Sequence, residues 1–180
     1  MKTFDAVGLP NGHAFPTIAY HEPTRTLIAL TRPLKAKLPG ERLSFRRISE
    51  THYHPIGEFS DAASVQSFVL DPCRPSLYFL TYIWRELKAG ESGGDWDGLY
   101  HFDLERHRCD RLARRGELHA AAGSGTTWLN GLLLVSNDGR GIICQAALGS
   151  SEFDFDYWVA HLNLADLGLT PITKLEATFA

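Results

Sequence analysis

Two histidines separated by one residue, His52 and His54, are the first place in this chain where chemistry could reside. In a strand that spacing sets both imidazoles on one face, and such a pair ligates zinc when a third donor joins it. No third ligand stands out, so the pair reads as surface histidines. Asp95 and Asp97 form an Asp-x-Asp pair, and Asp154 and Asp156 form another. Carboxylates could hold calcium or magnesium, but neither pair follows the EF-hand pattern, and solvated acidic loops account for both. No Gly-x-Ser-x-Gly elbow, Walker loop or dinucleotide fingerprint occurs. Ser124 sits between two glycines with no base nearby and reads as linker. The sequence thus implies no catalytic residue, no metal and no cofactor.

Binding is the better-supported chemistry. Trp84, Trp96, Phe153, Phe155, Tyr157 and Trp158 fall in two long, acid-containing stretches, 84–98 and 149–158. Exposed aromatics beside carboxylates suit a polar ligand or a partner protein. The candidate ligand-binding residues are therefore Trp84, Asp95, Trp96, Asp97, Asp154, Asp156 and Trp158.

The elements that must position these residues show themselves by repetition. Leu99–Leu112 alternates apolar and polar residues, turns, and closes on a second short strand, a hairpin pattern. Leu43–Ile56 and Val159–Ile172 repeat it. In each copy the first anchor precedes the middle one by five residues (Leu43/Ile48, Leu99/Leu104, Val159/Leu164), and the last follows by eight (Ile56, Leu112, Ile172). A second hairpin lies upstream of each: Ile18–Leu27, Phe68–Leu77 and Leu133–Ile142, all with a nine-residue separation of their apolar ends. Their turns hold Glu22-Pro23, Asp71-Pro72 and Asn137-Asp138-Gly139, residues that fix φ or permit φ > 0. Three units of four short strands, at about 17–58, 66–118 and 128–180, mark a repeat fold within a single domain. Residues 59–65 and 119–127 read as connections, and 1–16 as a lead-in. His101 and His161 share one repeat position, filled by Phe45 in the first unit, so they read as hydrogen-bonded packing histidines. Leu27, Leu77 and Ile142 are expected to be buried equivalents, and Ile48, Leu104 and Leu164 a second such set.

Composition excludes other classes. A chain of 180 residues with 44% hydrophobic and 22% charged residues is ordinary globular material. A net charge of −3 argues against nucleic-acid binding driven by phosphate neutralisation. No apolar run approaches the ~18 residues of a membrane helix, and the N-terminal residues lack a signal-peptide core. The three cysteines, Cys73, Cys109 and Cys144, have no Cys-x-x-Cys spacing and suggest reduced thiols in the cytoplasm.

Stretches 70–80 (Leu-Asp-Pro-Cys-Arg-Pro-Ser-Leu-Tyr-Phe-Leu), 98–105 and 136–143 resemble β-propeller blades of the Tol and quinoprotein type. In those blades a Pro-Asp-Gly-like turn precedes an apolar strand and a Leu-Tyr-x-Phe-Asp-Leu strand follows. The resemblance covers 17 to about 176 and brings no catalytic residues. Trp96-Asp97 is not the WD-repeat dipeptide, because it precedes the third strand of its unit. The expected fold is all-β, three four-stranded antiparallel blades, with a β-trefoil as the alternative. Propellers close with about 4–8 blades, so three blades imply a homodimer forming one six-bladed ring. The resemblance implies a non-catalytic binding or scaffold module that meets a protein partner or small polar ligand at its loop face. A small propeller-type hydrolase or lyase using loop carboxylates and histidine is the alternative. Neither nucleic acid nor membrane is an expected partner.

Overall fold

The computed structural model describes residues 13–33, 41–57, 63–83, 97–115, 117–118, 126–151 and 154–176. Among them the chain is all-β, in three antiparallel sheets of four strands, each built from consecutive strands. The first sheet holds β1 (His13–His21), β2 (Thr26–Pro33), β3 (Arg42–Arg47) and β4 (His54–Pro55). The second holds β5 (Ala63–Leu70), β6 (Ser76–Ile83), β7 (Gly98–Asp103) and β8 (Arg108–Arg114). The third holds β9 (Thr126–Val135), β10 (Gly141–Ser151), β11 (Asp154–Asn163) and β12 (Leu169–Lys174). No ladder joins strands of different units among the described residues. The trefoil alternative fails on this point, because its three units share one barrel.

Side-chain alternation turns each sheet into a two-faced slab, and the slabs stack in chain order. One core lies between the first and second sheets: Ile28, Leu43 and Phe45 meet Leu77, Phe79, Tyr100 and Phe102. The other lies between the second and third: Val69, Tyr78, Leu80 and Leu99 meet Leu132, Ile142, Cys144, Ala160 and Leu162. The second sheet is therefore covered on both faces, which explains the unbroken burial of its strand Ser76–Thr81.

The repeat is visible in the hydrogen bonding. The N–H of Ile48 donates to Arg25 O, that of Leu104 to Pro75 O and that of Leu164 to Arg140 O. Leu27, Leu77 and Ile142 are all buried, as expected. The second anchor set departs from expectation in one member: Leu104 is 1% exposed and Leu164 packs against the core, but Ile48 is 42% exposed. Leu104 and Leu164 pack toward the preceding sheet, and among the described residues no sheet precedes the first. The last anchors also diverge. Ile56 is buried, whereas Leu112 and Ile172 are exposed. Both occupy bulges, Leu112 opposite Leu99/Tyr100 and Ile172 opposite Val159/Ala160, and an extra residue in the ladder is turned out of the core.

Two loop assignments need correction. Strands begin earlier than the connections predicted at 59–65 and 119–127 allow, at Ala63 and Thr126. The stretch 149–158 is largely strand: Phe155, Tyr157 and Val159 pair with Gly149, Ala147 and Gln145. Alternation in Phe-Asp-Tyr-Trp-Val carries β11 through a segment whose acidity suggested a loop.

Candidate functional site

The turns between β1 and β2, β5 and β6, and β9 and β10 gather at one end of the stack, and they are stitched together. His21, buried at the end of β1, has Nε2 2.8 Å from Asp71 O and 2.9 Å from Arg74 O. Both partners only accept, so Nε2 carries the hydrogen. Asp71 Oδ1 takes the N–H groups of Cys73 and Arg74, an Asx turn. Arg74 then reaches the third unit, donating to Gly139 O at 3.0 Å and Asp138 O at 3.2 Å. Gly139 has φ +65°, and a side chain there would run into the Arg74 guanidinium. The turn residues recognised in the sequence thus fasten sheet to sheet.

Two recesses open beside these turns. One, about 420 Å³, is lined by Tyr20, His21, Glu22, Pro23, Leu70 and Pro72. The other, about 370 Å³, lies between β3–β4 and β7–β8 and is lined by Phe45, Glu50, His54, Phe102, His107 and Cys109, with Pro55 and Gly57. Its floor is aromatic. Phe45 and Phe102 face each other from the two sheets with centroids 5.3 Å apart. His54, opposite Phe45 in the ladder, lies 5.3 Å from that ring. His107 reaches over from the β7–β8 turn to 4.5 Å from Phe45. Its φ of +54° is a left-handed conformation that side chains other than glycine seldom adopt. Glu50 Oε2 accepts the Arg47 N–H at 3.0 Å and lies 3.4 Å from His54 Nε2. The Cys109 thiol is pushed up to about 11, chiefly by burial and then by Asp110. Cys144 is pushed up to about 12 by burial. Both stay protonated at neutral pH.

The residues singled out from the sequence lie elsewhere or outside the described residues. Trp84, Asp95 and Trp96 fall outside the described residues, as does the side chain of Asp154. Asp97 is held by Arg115, Oδ1 to Nε 2.9 Å, and Arg115 also donates to Thr81 O and Gln66. That carboxylate braces the end of β8 against β6. Asp156 pairs with Lys174 across β11 and β12 at 2.7 Å. Trp158 stands in a strand, half buried on the face that carries Ala146, rather than in a loop. Asp97 and Asp156 thus belong to ion pairs of two different sheets. His52 and His54 are exposed, as expected, and only His54 lies in a strand. His101 is half buried with Nε2 3.0 Å from Ser76 Oγ, the packing role expected of it. Burial draws its basicity down against the pull of Asp103, Asp110 and Asp71. Among the described residues no three metal-ligating side chains converge.

The aromatic and histidine recess escaped the sequence reading, although the repeat contained its signal. His107 and Cys109 stand where the third unit has Leu167 and Leu169, polar residues at places an apolar plug occupies elsewhere. No known family model matches this chain, and no curated protein resembles it in sequence.

Proposed function

We propose that this chain is a non-catalytic binding or scaffold module, built as three blades of a six-bladed propeller that a second copy completes. The supporting observation is a break in burial at equivalent positions. Val69, Tyr78, Leu80 and Leu99, which face the third sheet, are buried. By ladder register their third-sheet counterparts are Leu134, Ile143, Gln145 and Val159. Leu134 is 51% exposed against 7% for Val69. On the opposite side, Leu70 and Val135 pack toward the preceding sheet, and their first-sheet counterpart Tyr20 is 45% exposed. The last sheet offers a face of the type that a following sheet covers, and the first offers a face of the type that a preceding sheet covers.

In a six-bladed ring each blade subtends about 60°, so three make half a turn and a two-fold axis closes it. Light scattering is expected to give about 40 kDa, twice the 20.0 kDa chain mass, and the melting temperature to rise with concentration. A well-folded 20.0 kDa species at micromolar concentration would refute the ring.

Partner binding is assigned to the stretch that carries Trp84, Asp95 and Trp96, with a protein or small polar molecule as ligand. Asp97 and Asp156 are held in ion pairs with Arg115 and Lys174. In a thermal-shift screen of polar metabolites, a hit should stabilise the native protein and not Trp96→Ala. If every hit stabilises both equally, that stretch is not the site. The three cysteines are unpaired, which fits a reducing compartment such as the cytoplasm. Among the described residues no helix is long and apolar enough to cross a membrane.

A further inference from the structure

We propose that the recess between the first two sheets binds a planar heteroaromatic amine, a ligand that lies against the exposed His54 and His107 rings, over the buried Phe45–Phe102 pair, and is read at the rim by Glu50. This site lies at the turn end of the stack and within one chain, so it stands whether or not two chains associate.

The internal repeat supplies the control. By ladder register Phe102 and Cys109 correspond to Leu162 and Leu169. His107 corresponds to Leu167, and both adopt left-handed backbone, φ +54° and +60°. At the junction of the second and third sheets, Leu164, Leu167 and Leu169 are partly buried and pack against the core. At the junction of the first and second sheets, the corresponding place is a recess of about 370 Å³ carrying an imidazole and a thiol instead. A backbone that seats a leucine seats histidine here, beside an opening within the size range of small-molecule sites. Packing alone would favour the leucines.

The lining chemistry selects the ligand. Phe45 and Phe102 are buried against each other and against the imidazoles of His54 and His107, and those exposed imidazoles offer ring surface to a flat ligand, which gains from offset or edge-on contact. Glu50 uses Oε2 for both its contacts, and Oε1 has no partner among the described residues. It can accept from an exocyclic amine. His107 makes ring contacts only, so each of its nitrogens can donate to, or accept from, a ring nitrogen or ring N–H. Glu50 is the one formally charged residue of the lining, which disfavours an aromatic carboxylate.

Adenine is the probe, with benzoate as the anionic aromatic comparison. In NMR titrations adenine is expected to shift the imidazole proton signals of His54 and His107 with a Kd of about 1 mM or tighter. Benzoate should bind at least ~10-fold more weakly. The double variant His107→Leu/Cys109→Leu carries the side chains of the sister junction, so it should fold, and it should lose adenine binding at least ~10-fold. Glu50→Gln should weaken adenine and strengthen benzoate, because the repelling charge is gone. The proposal is overturned if 10 mM adenine (about ten times the expected Kd) leaves both imidazoles unmoved. It is equally overturned if benzoate binds as well as adenine, or if the filled variant binds adenine like the native protein.

Discussion

Leu77→Ala is expected to destabilise the protein by about 2–5 kcal/mol, the cost of a cavity in a core that cannot collapse onto it. Leu77 is fully buried between the first two sheets, beside Phe79, Phe102 and Leu104. Sheet faces on both sides are held by complete ladders, so neighbouring side chains have little freedom to fill the space left behind. For a chain of this length each kcal/mol moves the melting temperature by about 2–4 °C. The informative comparison is Ile48→Ala. It removes a similar volume at a position the repeat equates with Leu104, but one that looks away from the second sheet, where among the described residues no sheet precedes it. In a single chain that change should cost within about 0.5 kcal/mol, as exposed substitutions do, and it should cost more in the ring proposed above, where a second copy covers Ile48. Urea unfolding of both variants in a chain kept single by Ile143→Asp, at one fixed protein concentration, would check this. The picture of stacked slabs fails if the two midpoints fall equally.

What the sequence made legible follows from what repeats can encode. Equal spacing of Leu27, Leu77 and Ile142 reported equal ladder geometry, and turn residues such as Asp71-Pro72 and Asn137-Asp138-Gly139 reported where strands reverse. Both are local properties. Burial is not, because it depends on which sheet lies opposite. Ile48 has the spacing of Leu104 without its environment, and no count along the chain distinguishes them. Leu112 and Ile172 fell out of the core for a second reason: a one-residue bulge reverses the facing of a strand position, and apolar identity does not announce a bulge. The β11 segment shows a conflict of signals, acidic residues suggesting solvent while Phe155, Tyr157 and Val159 carried strand alternation. As for site residues, Asp97 looked available for a ligand only while Arg115, 18 residues onward, was not known to meet it. The recess at Phe45 and His107 joins residues from two units, and a single unit read alone could not reveal it.

If two copies close the ring as proposed, charging the open face of the third sheet is expected to separate them. Ile143 stands mid-ladder between Leu134 and His161 and corresponds to Tyr78, which is buried where the second sheet meets the third. Aspartate at 143 would be sealed without a cation in each of the two closing contacts. Removing an unpaired charge from water costs several kcal/mol, and the two-fold axis imposes that cost twice. The dissociation constant should rise at least about a thousandfold, leaving a folded species of 20.0 kDa. Leu112→Asp, on an exposed bulge of β8, should leave the mass at twice that value. Tyr20→Asp, on the open face of the first sheet, should divide the dimer in the same way. A mixture of the two variants makes the sharpest test. In a ring closed third sheet to first, a chain with Ile143→Asp and a chain with Tyr20→Asp place both aspartates in one contact, which can stay open and solvated, and leave the other native. Held by that native contact alone, the mixed dimer should form at concentrations where each variant alone, with both contacts charged, is monomeric. If third sheets instead paired with each other, Tyr20→Asp would not split the dimer, and no mixture could restore what Ile143→Asp removes.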